Sequence, residues 1–195
     1  MGFRIESRNL GNIVVIVPEV IEDERGFFME TFKADTFKAL GLPHLFVQDN
    51  HSRSKQGVVR GLHFQWDPPM GKLMRVTVGS VFLVSVDIRK GSPTLGQWFG
   101  LEVSAENKKQ VWAPAGFARG FCALTDRAEV LYKCTGVYNS EAESGIRWDD
   151  PEIGIAWPLQ DVIVSDKDRK AQLLADWLAS PLSRNFTYVE SITGA

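Results

Sequence analysis

Leu73-Met74-Arg75-Val76-Thr77-Val78-Gly79-Ser80-Val81-Phe82-Leu83-Val84-Ser85-Val86-Asp87-Ile88 consists of two runs rich in Val, Leu, Phe and Thr on either side of Gly79-Ser80. β-Branched and aromatic residues suit a pleated, half-buried backbone, and a Gly at the join supplies the freedom of a tight turn. The stretch therefore predicts strands at 73–78 and 81–88 closed as a hairpin. Working outward, runs of the same kind recur at 13–17, 26–32, 58–65, 98–103, 110–112, 117–124 and 130–138, separated by segments carrying Gly, Pro, Asn or Asp. Short strands at such spacing are the signature of an all-β sandwich or barrel. Segments 33–40 and 167–179 have helical spacing instead, the second with Leu173, Leu174, Trp177 and Leu178 on one stripe expected to pack across the outside of the barrel. One mainly β domain is expected over 1–195, its barrel at about 13–138, with only the tail after Pro181 loose.

At 195 residues and 44% hydrophobic content the chain suits a single domain with a sizeable core, and hence one active site. A formal net charge of -2 argues against a broad basic surface for nucleic acid, so phosphate recognition must be focal. Arg4, Glu6 and Arg8 interrupt the N-terminal stretch, which denies it a signal-peptide core, and no apolar run approaches membrane-spanning length. A cytoplasmic protein without membrane or nucleic-acid partners is expected. In that compartment Cys122 and Cys134 are expected to be free, buried thiols.

Polar residues stand where a plain barrel would not put them. Val58-Val59-Arg60-Gly61-Leu62-His63-Phe64-Gln65 sets Arg, His and Gln among apolar strand residues, which suggests a ligand-facing surface. Strict alternation would place Arg60 and His63 on opposite faces, and a bulge or kink at Gly61 would reconcile them. Alone, His63 reads as a structural histidine before it reads as a catalyst. In Phe117-Ala118-Arg119-Gly120-Phe121, Arg119 shares a face with two phenylalanines. If that face is the interior, a ligand anion or a carboxylate is expected to answer the guanidinium; if it is covered from outside, Arg119 snorkels. The same parity puts Tyr132 and Tyr138 on one face with Val130 and Cys134. In Ser165-Asp166-Lys167-Asp168, capping of the following helix by Ser165 or Asp166 is a sufficient structural explanation.

Taken in order, Asp23-Glu24-Arg25-Gly26-Phe27-Phe28, Gln48-Asp49-Asn50-His51-Ser52, Arg60-Gly61-Leu62-His63-Phe64-Gln65, Ser92-Pro93-Thr94, Pro114-Ala115-Gly116-Phe117-Ala118, Tyr132-Lys133 and Ser165-Asp166-Lys167-Asp168 resemble the dTDP-4-dehydrorhamnose 3,5-epimerase family. Many ordered motifs together carry the specificity that each lacks alone. The resemblance implies a cupin-like jelly roll, a homodimer, and inversion of C3 and C5 in a dTDP-linked 4-keto-6-deoxyhexose. It implies His63 as the base, Asp168 as its carboxylate partner, Tyr132 as the acid on the opposite face and Lys72 beside the 4-keto oxygen. Arg60 would contact the nucleotide phosphates. Arg25, Glu30, Gln48, Asp49 and Asn50 resemble the nucleotide-binding set, part of it donated across the dimer, Tyr138 resembles the residue stacked on thymine, and Glu143 and Lys167 fall at further binding positions. The family pattern Gly-Phe-Ala-His-Gly-Phe is broken here by Arg119, which leaves the base and the acid in place but bears on sugar choice and stereochemical outcome.

These residue types suit the chemistry. A proton beside a ketone is acidified because the charge left behind spreads onto oxygen, and a fixed lysine cation stabilises that oxygen. A neutral imidazole oriented by a carboxylate is a base suited to neutral pH, and inversion needs a second group to return the proton on the other face. No redox change occurs, so neither nicotinamide nor metal is chemically required. A metal-dependent cupin would need several converging ligands, whereas this chain has only His44, His51 and His63, without a His-x-His pair. An epimerase of one carbon, or a ketoisomerase of another nucleotide-linked keto sugar, is the nearer alternative. A non-catalytic sugar-nucleotide binder would keep the phosphate contacts and lose the base or the acid.

Overall fold

A computed structural model describes residues 2–190. In chain order the strands are β1 (Phe3–Asn9), β2 (Ile13–Pro18), β3 (Val20–Asp23), β4 (Gly26–Met29), β5 (Gln48–Lys55), β6 (Val58–Gln65), β7 (Lys72–Val78), β8 (Ser80–Asp87), β9 (Trp98–Ser104), β10 (Gln110–Ala113), β11 (Phe117–Ala123), β12 (Arg127–Cys134), β13 (Glu143–Gly145) and β14 (Ile163–Val164). The helices are α1 (Ala34–Ala39), α2 (Asp166–Arg169) and α3 (Leu174–Ala179), followed by a 3-10 turn at Pro181–Phe186.

Two sheets form, ordered β1-β2-β10-β7-β12-β5 and β13-β6-β11-β8-β9, with β14 added in parallel to β6 and β3-β4 standing apart as a small ribbon. From β5 to β8, and again from β10 to β12, the chain alternates between the two sheets, giving a cupin-like jelly roll. Alternation of side chains explains the layers. Met74, Val76, Val111, Ala128 and Val130 of the first sheet meet Val81, Leu83, Phe117 and Phe121 of the second in the inner core. The opposite faces are also covered: Val14, Ile16, Leu73 and Trp112 pack under Phe37 of α1, and Leu62, Phe64, Val84 and Val86 pack under Leu174 and Trp177 of α3. Strands buried on both faces read as nearly continuous apolar runs, as residues 13–17 of β2 and 81–84 of β8 do.

Gly79-Ser80 does not close a hairpin. β7 pairs with β10 and β12, and β8 with β9 and β11, so the dipeptide turns the corner from one sheet to the other. Gly79 has φ +68°, and a Cβ there would stand 2.1 Å from the Arg127 carbonyl oxygen, so the corner needs glycine for both conformation and space. The expected helix at 167–179 is two short helices separated by 170–173; Leu174, Trp177 and Leu178 of its stripe dock, with Trp177 centred 4.6 Å from Phe64, while Leu173 is the N-cap of α3 and stays outside that cluster. Burying such a ring contributes several kcal/mol, and truncating Trp to Ala costs about 3–5 kcal/mol. The tail after Pro181, expected to be loose, is docked as far as Tyr188: the Lys90 N–H donates to the Phe186 carbonyl at 2.7 Å, and the Tyr188 N–H to the Lys90 carbonyl at 2.9 Å. The remainder of that expectation, at 191–195, lies outside the described residues. Strand β12 ends at Cys134, so the parity that linked Tyr132 to Tyr138 stops short of Tyr138. Cys122 and Cys134 are free and buried. Among the described residues no helix is long and apolar enough to cross a membrane.

Candidate active site

A cavity of about 530 Å³ opens between the sheets beyond the inner core, lined by Arg60, His63, Lys72, Arg119, Tyr132, Lys167 and Asp168, with Met74, Phe121 and Val130 at its apolar end. Its polar groups come from both sheets. β6 and β11 of the second sheet present Arg60, His63 and Arg119, while β7 and β12 of the first present Lys72 and Tyr132.

Arg60 and His63 share the cavity because β6 bulges. Arg119 is opposite His63 and Phe121 opposite Arg60, so three steps along β6 face two along β11. His63 Nε2 lies 2.7 Å from Asp168 Oδ1. Asp168 is held by α2, whose N-cap Ser165 accepts from the Asp168 N–H at 3.1 Å, and its second oxygen accepts from the Gly61 N–H at 3.3 Å. Burial works to raise the Asp168 carboxyl, but His63, the Gly61 N–H and Ser165 outweigh it and hold the carboxyl below the usual range. With Asp168 a carboxylate, Nε2 carries the proton and Nδ1 is left as the acceptor.

Lys72 places its Nζ 5.0 Å from the centre of the Tyr132 ring. Burial, and then the charge of Arg119, push the Lys72 ammonium down to about 8 against smaller opposing effects of Cys134 and Glu143. Burial also raises the Tyr132 phenol, with Cys134 adding to it and Arg60 and Asn50 pulling back. Arg119 is interior, on the face shared with Phe117 and Phe121. No carboxylate answers it among its described hydrogen bonds; the carbonyls of Met70, Ala113 and Pro114 do. Peptide dipoles satisfy the two terminal nitrogens in place of the carboxylate that was one of the two expected partners, a ligand anion being the other, and the buried Nε keeps no hydrogen-bond partner.

Lys167 lines the cavity and pairs with Glu143 at 2.6 Å, and the Tyr138 hydroxyl donates to the same carboxylate oxygen at 3.3 Å, although neither Glu143 nor Tyr138 is among the residues that line the cavity. Arg60 donates to Ser54 and to the Arg53 carbonyl. Asp49 and Asn50 line a smaller recess behind Tyr132, where Asp49 pairs with Lys133 at 2.9 Å, and Gln48 donates to Asn50. Arg25 and Glu30 do not join the cavity: Arg25 pairs with Asp23 on the β3-β4 ribbon, and Glu30 keeps one buried oxygen without a hydrogen-bond partner. Ser52 was not anticipated. Its buried hydroxyl lines the cavity without a partner, and the signal was the alternation in β5, which turns Gln48, Asn50, Ser52 and Ser54 to the better-buried side. Among the described residues no three His, Cys, Asp or Glu side chains converge as a metal site.

A carboxylate-oriented imidazole on one sheet, facing a desolvated ammonium and a phenol on the other, defines a jelly-roll enzyme site equipped for proton transfer. The family model for dTDP-4-dehydrorhamnose 3,5-epimerase matches residues 7–176, and the chain belongs to that family of isomerases. It is 50% identical over 190 residues to a dTDP-4-dehydrorhamnose 3,5-epimerase of Methanothermobacter thermautotrophicus, covering 96% of this chain and 98% of that one. A 3,5-epimerase of Legionella pneumophila Philadelphia 1, solved in complex with dTDP-4-keto-L-rhamnose, superposes with a TM-score of 0.90 at 44% identity, covering 97% of this chain and 100% of that one. A dTDP-4-dehydrorhamnose 3-epimerase of Streptomyces niveus is 36% identical over 193 residues, covering 97% of this chain and 93% of that one.

Proposed function

We propose that the chain epimerises a dTDP-linked 4-keto-6-deoxyhexose at C3 and C5, a step of dTDP-rhamnose assembly, in the cytoplasm and as a homodimer. The observation that carries this reading is the division of labour across one cavity: His63 and Asp168 on one side, Tyr132 and Lys72 on the other. A ring lying between the sheets has one face toward the imidazole and the other toward the phenol, which inversion demands. His63 takes the proton from the carbon next to the ketone, and Asp168 stabilises the imidazolium. Negative charge moves to the carbonyl oxygen, where Lys72 is a preorganised cation in a water-poor site. Tyr132 returns a proton from the opposite face. The carbon has then lost one proton and gained one, and solvent resets the imidazolium and the phenolate. Because the ketone lies between C3 and C5, the same groups serve each carbon in turn once the ring shifts or rebinds.

Arg60 and Lys167, cations that line the cavity, suit the diphosphate, while Tyr138 offers a ring for the thymine and Glu143, paired with Lys167, a further binding position. Arg25 and Glu30 sit away from the cavity on a ribbon that also exposes Ile21, Phe27 and Phe28, which fits donation of this ribbon, with Gln48, Asp49 and Asn50 of the edge strand β5, toward a second copy. The reading of a single-carbon epimerase is kept by the 3-epimerase relative, whose identity to this chain is lower than that of the 3,5-epimerase from Methanothermobacter. The test is a screen of dTDP-, CDP- and GDP-linked 4-keto sugars for uptake of deuterium from heavy water. Uptake confined to the dTDP sugar supports the proposal, and uptake with none of them overturns it.

A further inference from the structure

Arg119 is 4% exposed, yet it carries a permanent charge without a carboxylate among its described hydrogen bonds. Its Nη2 donates to the Met70 carbonyl at 2.8 Å, and its Nη1 to the Ala113 carbonyl at 3.1 Å and the Pro114 carbonyl at 3.3 Å. The location of these carbonyls is informative. Met70 stands two residues before Lys72, and Ala113 is the direct cross-strand neighbour of Lys72 on β10. Arg119 is itself the cross-strand neighbour of His63. One guanidinium thus spans from the strand beside the imidazole to both backbones that hold the ammonium, joining the two sheets at the cavity.

Stability alone does not account for such a tie. Burying a cation beside another cation is costly, and an apolar side chain of similar length would fill the same interior space without that cost. What an apolar residue could not do is grip two separate backbones at fixed angles, the property for which the planar five-donor fork is suited.

We propose that Arg119 is a positioning residue that fixes the Lys72 ammonium in place relative to His63 by gripping the backbone that leads into Lys72 and the β10 strand paired beside it. The proposal rests on the proton-transfer reading above. A second consequence is electrostatic. The groups around Lys72 are Arg119 on β11, Tyr132 and Cys134 on β12, Glu143 on β13, His63 and Arg60 on β6, and Lys167 and Asp168 on α2. Cys134 and Glu143 favour the protonated amine, whereas Arg119 is the named neighbour that opposes it, second only to burial. Removing its charge raises the Lys72 midpoint above about 8 while burial keeps it below the ordinary lysine value.

The experiment compares wild type with Arg119→Gln and Arg119→Met. Competitive acylation of Lys72 across a pH series, read by mass spectrometry of its peptide, gives the amine's midpoint without substrate. Circular dichroism reports folding, and where Met disrupts it the Gln variant, which keeps two N–H donors, decides. The expected result is an upward shift of the Lys72 midpoint, together with a kcat lowered by about 10²-fold from misplacement of the cation and a smaller change in KM. A midpoint that stays at the wild-type value in folded Gln protein, or a kcat unchanged per folded molecule, overturns the proposal. Absence of epimerase activity in the wild-type protein would sink the proton-transfer reading instead, and the acylation midpoints distinguish the two failures.

Discussion

Gly61 and Gly120 bring their backbones so close that a Cβ on Gly61 would stand 2.6 Å from the Gly120 Cα. Gly61 also has φ +136°, a conformation L side chains rarely adopt. The contact lies inside the β6 bulge, between Arg60 and His63, and Gly61 donates its N–H to Asp168. Gly61→Ala should therefore displace His63 from Asp168. We expect a stability loss of about 1–3 kcal/mol from backbone strain, and more where the clash with β11 is not relieved. Solvent exchange should fall by about 10²-fold, the scale set by small misplacements of catalytic groups. Thermal melts and exchange rates check both, and a variant with wild-type values in each would show that the bulge is not required.

His63→Asn should lose about 10²–10⁴-fold in exchange, the usual contribution of a positioned base, while dTDP binding persists, since the proposed phosphate contact is Arg60 rather than His63. Calorimetric titration with dTDP alongside the exchange assay separates the two effects. Appreciable turnover by His63→Asn protein would remove His63 as the base.

Under the proposed roles, Tyr132→Phe keeps the base and the lysine but deletes the proton for the second face. His63 can then only return a proton to the face it came from. In heavy water the recovered substrate should gain deuterium with its configuration retained, and inverted product should fall sharply. Inversion at the wild-type rate would assign the acid to another group.

Acid sensitivity should centre on a carboxylate outside the cavity. Arg127 first, with burial opposing and Arg53 and His51 assisting, holds Glu129 down to about 2 from an ordinary value of 4.5. A carboxyl whose folded-state pKa is depressed contributes stability above its unfolded value, and that contribution is lost as pH falls through the folded value. The melting-temperature gap between wild type and Glu129→Gln should be full above about pH 5 and shrink as pH falls toward the Glu129 value. A gap independent of pH would mean that Glu129 acts by packing rather than by charge.

The parts of this fold legible in the sequence were those in which burial dictates side chains. β6 spans the predicted 58–65 to the residue, and α1 and the docking stripe of α3 follow their apolar spacing. β5 escaped notice because its Gln48-Asp49-Asn50-His51-Ser52-Arg53-Ser54-Lys55 run has no apolar residue, and its place in the sheet comes from pairing with β12. The Gly79 turn was readable as a turn, but its partner strands depend on non-local pairing that a dipeptide does not encode. The bulge at Gly61 and the face Arg119 shares with Phe117 and Phe121 followed from parity and its local failure, whereas parity left open whether that face was the interior, which the closure of the two sheets decides. The three carbonyls that hold Arg119 did not, because they come from segments brought together only by closure of the two sheets.

The most direct measurement is the position of solvent label in the product. The wild-type protein is incubated in heavy water with dTDP-4-keto-6-deoxyglucose until turnover is complete, and the sugar is analysed by NMR. One ketone activates both neighbouring carbons, and His63, Tyr132 and Lys72, the proposed base, acid and cation, line one cavity. Deuterium is expected at C3 and at C5, with both centres inverted. Label confined to one carbon after prolonged incubation would contradict double epimerisation, and no label at either would contradict the proton-transfer mechanism itself.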